Sequence, residues 1–138
     1  MFRLTMNYTP VANDETVTRS IVASSWFAQK GGVAYVKQDA FVPYPNVELS
    51  VIRQIGLEEP VVWRLAKQVA ELRNRTFYGR ADVNVESFIN EGLSVSPSPT
   101  EANPNHAEVF KWPKEKEAQK VLALQIAADA KFIIAPIL

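Results

Sequence analysis

The 138-residue chain has no cysteine, one histidine and only five glycines. Without cysteine there is no disulfide, thiolate zinc site, iron–sulfur cluster or cysteine nucleophile. A single histidine, His106, excludes a multi-histidine zinc centre. Gly31, Gly32, Gly56, Gly79 and Gly92 match neither a dinucleotide-binding spacing nor a P-loop. No serine sits in a G-x-S-x-G elbow, and the acidic residues form no calcium loop. No metal and no cofactor is therefore implied.

An excess of either charge is also missing. The chain carries 15 basic and 15 acidic residues, and neither half is polarised. Phosphate-backbone binders usually show a basic excess, so nucleic acid is a disfavoured partner. No uncharged run approaches the ~18 apolar residues of a membrane span. The apolar stretch Ile21–Ala28 follows Asp14 and Glu15 and does not read as a signal peptide. These features imply a cytoplasmic protein with no membrane partner.

What is present is an ordinary core-forming composition. Val, Ile, Leu and Phe together number 40 of the 138 residues, enough for one domain spanning residues 1–138. A helix is expected from about Glu59 to Arg73. Pro60 suits its first turn, and Val62, Leu65, Val69 and Leu72 form one apolar stripe. A second is expected from about Pro113 to Ala130, its later half apolar nearly all round. That half calls for cover on more than one side, from the domain or a second subunit. Strands are expected over Val47–Ile55, Arg80–Val85, Ala107–Trp112 and Phe132–Ala135, and more weakly over Val33–Val36 and Phe2–Tyr8. Glu86–Glu91 reads as a helical turn closed by Gly92. Ser96–Asn105, with three prolines in ten residues, reads as an extended, solvated loop. The sum is an α+β fold: a mixed or antiparallel sheet of about four to six strands, with two main helices packed on one face.

Three groups of residues can carry chemistry. His106 opens a strand beside the proline-rich loop, with Glu108 on the same strand face, and the two can form an oriented acid/base unit. A histidine there can equally hydrogen-bond the loop backbone and hold the turn. The stretch Leu72–Arg80 interleaves Arg73, Arg75 and Arg80 with Phe77 and Tyr78, a pattern able to hold a phosphate or an unpaired base. In that segment Arg80 and Asp82 share a strand face and can also simply pair with each other. Arg53 falls in register with Val47, Leu49, Val51 and Ile55. It must be paired, at a strand end, or lining an anion pocket. Trp26, Trp63 and Trp112 read as core or interface. The apolar tail Ile133–Leu138 fits docking on its own sheet or across a symmetric dimer, with the dimer favoured.

Two motifs, Tyr78-Gly-Arg-Ala-Asp82 and Asn105-His-Ala-Glu-Val-Phe-Lys-Trp-Pro113, accompany Glu15-Thr-Val-Thr-Arg19 and Ser50-Val-Ile-Arg53 upstream. Together they resemble a group of short, uncharacterised bacterial open reading frames found in mobile or accessory gene regions. Lys111 stands where the pattern commonly has glycine. The resemblance carries no activity with it, but it joins Arg53, Arg80, Asp82 and His106 in one pattern.

The expectation is a small non-enzymatic binding or assembly protein acting as a homodimer. The alternative is an enzyme or binder for a phosphorylated, nucleotide-like small anion. It would be held by Arg53, Arg80, Arg75 and Tyr78, with His106 as acid/base oriented by Asp82 or Glu108. A weaker alternative is single-strand or RNA binding through Arg73–Arg80.

Overall fold

The computed structural model describes residues 5–136. Six strands form one fully antiparallel sheet: β1 (Thr16–Ile21), β4 (Leu49–Arg53), β5 (Gly79–Asn84), β6 (Ser94–Pro97), β7 (His106–Phe110) and β8 (Lys131–Ile134). Their order is β6-β7-β4-β1-β5-β8. A separate two-stranded ribbon pairs β2 (Phe27–Lys30) with β3 (Val33–Val36). Helices α1 (Glu59–Leu72), α2 (Val85–Asn90) and α3 (Lys116–Asp129) complete the α+β fold. Residues 5–8 of the expected N-terminal strand are not extended into a sheet. Its start, like Ile137 and Leu138 of the tail, lies outside the described residues.

The two main helices do not share a face of the sheet. In β1, Val17 and Ile21 point into the main core with Leu49, Val51, Ala81, Val83, Ala107 and Val109, under Ala123, Ile126 and Ala127 of α3. Thr18 and Ser20 point the other way. There Ser20 Oγ donates to the Ala66 carbonyl of α1 at 2.7 Å, and Ile52 packs with Leu65 and Ala66. The sheet is thus sandwiched between α1 on one face and α3, α2 and the β2–β3 ribbon on the other. Both helices have an apolar side, and one sheet face cannot bury two such sides together with the ribbon.

β6 was hidden in the proline-rich segment, which is not solvated throughout. Ser96 and Pro97 belong to the strand, and Asn103 and Asn105 are buried. Asn105 Nδ2 donates to the carbonyls of Arg53 and Ile55, both at 2.9 Å, tying the loop to the end of β4.

Arg53 has no solvent exposure. It stands at the end of β4 and is paired. Nε donates to Glu15 Oε1 at 2.9 Å, Nη2 to Glu15 Oε2 at 2.8 Å, and Nη1 to the Thr9 carbonyl at 2.8 Å. Such two-pronged carboxylate recognition is what a planar guanidinium does best. Burial alone pushes the Glu15 carboxyl up. The hydrogen bonds from Arg53 and from the Ala12 amide outweigh that and hold it below the usual carboxylate range. Arg53 is therefore structural, and no anion pocket forms around it.

A second buried arginine escaped the sequence reading. The ladder between β1 and β4 covers only two residue pairs, Val17 with Arg53 and Thr18 with Ile52. Beyond it Arg19 turns its Nε to the Ala40 carbonyl at 2.9 Å and its Nη1 to the Ser50 carbonyl at 3.1 Å. Its guanidinium also lies 5.1 Å from the centre of the Trp26 ring. Burial, helped by the nearby charge of Arg73, lowers its pKa to about 9.

Gly79 opens β5 against the edge strand β8. A Cβ there would sit 2.3 Å from the Ile133 carbonyl oxygen, a backbone atom that cannot step aside. Gly79→Ala should destabilise the fold by about 1–3 kcal/mol, read as a lowered urea midpoint; an unchanged midpoint would contradict this packing. The buried pair makes a second prediction. A carboxylate whose folded pKa is depressed stabilises the fold above its unfolded pKa, and that contribution is lost as pH falls through the folded value. Glu15→Gln should cost about 3 kcal/mol at neutral pH. It should also flatten the acid limb of the stability–pH curve, measured by denaturant titration from pH 7 downward.

Candidate functional site

The residues that the sequence placed together are split between places. His106, Ile52, Thr18 and Asp82 lie in one row across β7, β4, β1 and β5. His106 is thus three strand spacings from Asp82, about 14 Å, and no nearer to Arg80 on the same strand. Arg53 reaches the Glu15 and Thr9 side of the structure, whereas Arg80 reaches Glu59 of α1. No single ligand bridges Arg53, Arg80 and His106.

His106 holds the loop. Its Nδ1–H donates to the Ser98 carbonyl at 2.8 Å, its backbone amide donates to Asn103, and its own carbonyl accepts from the Ser98 amide. Glu108 does share its strand face but pairs with Glu48. The hydrogen bond with Glu48, burial and the neighbouring negative charge push the Glu108 carboxyl up to about 7. A raised carboxyl binds its proton more tightly in the folded state, so stability falls as pH rises from about 4.5 to about 7. Glu108→Gln should remove that decline, giving a melting temperature above wild type at pH 8 and close to it at pH 5. A parallel shift at both pH values would show that Glu108 does not titrate in this window.

The Arg73–Arg80 segment is divided as well. Asn74, at a φ of 55°, ends α1 in the left-handed conformation that asparagine tolerates. Arg73 and Arg75 are exposed. Phe77 and Tyr78 point to opposite sides. Tyr78 packs 5.2 Å from Phe27 on the core side, and Phe77 lies 6.1 Å from Trp63 on the α1 side. Tyr78, on the core side, therefore does not join Arg80, which reaches Glu59 on the α1 side.

Arg80 itself is 2% exposed. Its Nη2 donates to Glu59 and, at 3.1 Å, to Asp82 Oδ2. Asp82 Oδ1 accepts from Thr18 Oγ1 at 2.9 Å, and Thr18 Oγ1 accepts from Gln54 Nε2 at 2.7 Å. This polar chain fills the space beneath α1. The Arg80 Cζ lies 4.6 Å from the centre of the Trp63 ring. Its Nε and Nη1 meet no acceptor among the described residues. On the outer side of Trp63 is a groove of about 850 Å³, lined by Glu59, Pro60, Trp63, Arg64, Lys67, Phe77, Ala135 and Pro136. Read along the sequence, Arg64 and Lys67 are only the polar side of an amphipathic helix and Trp63 a core or interface aromatic, so nothing there marks a site.

A second surface lies on the opposite side. α3 buries Gln119, Ala123, Ile126 and Ala127, but Val121 and Leu124 are 70% and 62% exposed. Ala128 continues that stripe. A depression of about 610 Å³, lined in part by Tyr35, Lys37, Leu124 and Ala128, joins it to β3, where Val33 and Tyr35 are also exposed.

No known protein family, curated protein or solved structure matches the chain. Among the described residues no helix is long and apolar enough to cross a membrane.

Proposed function

We propose that this is a non-enzymatic assembly protein that works as a homodimer joined through α3. One observation carries the reading. The half of α3 that is apolar nearly all round is covered by its own domain on one side only, leaving Val121, Leu124 and Ala128 exposed, with Tyr35 beside Leu124 and Ala128. Contiguous exposed apolar surface of this kind is the usual mark of an interaction site. A second copy presenting the same stripe supplies a matching apolar surface in a closed, two-fold contact. Of the apolar tail, Ile133 and Ile134 belong to β8, an edge strand of the sheet, and Ile137 and Leu138 lie outside the described residues.

The separation of His106 and Glu108, of Arg53, and of the paired Arg80 and Asp82 into different places supports a role without catalysis at those residues. Light scattering should give twice the chain mass of 15.4 kDa. Leu124→Glu should reduce it to one chain, with stability of the monomer changed by no more than about 0.5 kcal/mol, because the position is exposed. A wild-type mass of one chain at high concentration would overturn the dimer.

A further inference from the structure

The groove beside α1 has a different character from the α3 stripe, and nothing in the dimer uses it. Its walls are aromatic. Trp63 and Phe77 meet edge to face at 6.1 Å, leaving ring surface toward the groove. Pro60, Ala135 and Pro136 add apolar surface to its lining. Its rim is cationic, because Arg64 and Lys67 are exposed one helical turn apart. Neither forms an ion pair among the described residues. The single acidic lining residue, Glu59, is already neutralised by Arg80, whose hydrogen bond holds its carboxyl below the usual range despite the opposing effect of burial.

Behind the aromatic wall stands Arg80, buried, with two of its nitrogens, Nε and Nη1, without an acceptor among the described residues. It is stacked on the ring that the groove presents. A cation on one face of an indole is attracted to the ring's electron density and holds the ring in place, while Glu59 and Asp82 balance its charge. The site therefore offers a ring for stacking and two positive charges without an ion pair, Arg64 and Lys67, at its rim. An inorganic anion would leave the aromatic walls unused, and an uncharged ring would leave the rim unused.

We propose that this groove binds a nucleoside monophosphate, the base stacked on Trp63 against Phe77 and the phosphate held by Arg64 and Lys67. A volume of about 850 Å³ lies in the range of small-molecule sites, which run to roughly 1,000 Å³. Arg80 is a positioning residue that fixes Trp63 without touching the ligand. This site shares only Arg80 with the anion site that the sequence implied. It replaces His106 and Arg53 by a tryptophan and two cations one turn apart on α1.

The test is calorimetric titration of the intact protein with AMP and UMP, alongside adenosine, uridine and inorganic phosphate. Saturable binding of the monophosphates is expected, at least about tenfold tighter than either the nucleosides or phosphate, a difference of ~1.4 kcal/mol. It should weaken with added salt. Arg64→Ala/Lys67→Ala changes only exposed side chains and leaves the fold intact. It should reduce monophosphate affinity to that of the nucleosides and remove most of the salt dependence. Trp63→Phe keeps a stacking ring and should weaken binding moderately, with circular dichroism confirming the fold. The Leu124→Glu monomer should bind as wild type, which separates this site from the dimer. No saturable binding by any monophosphate at millimolar concentration would overturn the proposal. So would affinity unchanged in the double variant, or phosphate alone binding as tightly as AMP.

Discussion

Arg53 meets no water, so the chain around it must supply everything water would have given. Glu15 provides the countercharge and Thr9 a carbonyl, while Asn105 binds the backbone of Arg53 itself. Three segments distant in sequence are thereby pinned to one strand end: the approach to β1, the end of β4 and the turn into β7. Removing either charge strands the other in a low-dielectric interior, which costs far more than a surface pair contributes. The interaction thus acts as a registration point as much as a source of stability. β1 pairs with β4 where Val17 meets Arg53 and Thr18 meets Ile52, and β7 follows from the asparagine turn that binds the same spot.

Around this point the sheet carries two unlike faces. The α3 face is a continuous apolar core of aliphatic and aromatic side chains. The α1 face is a polar layer in which Ser20, Thr18, Asp82, Arg80 and Gln54 satisfy one another or the helix backbone. Such layers tolerate little slippage, since each donor has a named acceptor and a shift of one residue would break several bonds together. The exception, Arg80 with its unfilled N–H groups, lies where the layer meets the groove.

Elements with a strong period were legible in the sequence. The stripe of α1, the alternation of β5 and the shape of α3 all reflect burial on one side of a regular backbone, and Val33–Val36 matched to the residue. The central strand β1 was not legible. Its Thr-Val-Thr-Arg-Ser-Ile run has polar residues on one face and a buried arginine on the other. Its burial rests on pairing from both sides, which composition does not display. β6 was masked by prolines that suit an edge strand. Arg53 was legible as a conflict between charge and register, though not its partner, which lies 38 residues away. The separation of the site residues depended on strand order. Sequence adjacency placed Phe77 beside Tyr78, while the pleat sent them to opposite sides of the sheet.

The two edges of the sheet share a device. β6 and β8 are each four residues long, β6 ends on Pro97, and Pro136 follows β8 at a distance of two residues. Proline has no amide to offer a docking strand, and a four-residue edge gives an incoming chain little to grip. Open-ended strand addition, the route by which antiparallel sheets grow into fibrils, is therefore blunted at both borders. The exposed apolar surface of α3 lies on a helix, whose backbone hydrogen bonds are internal and offer no edge to an incoming strand.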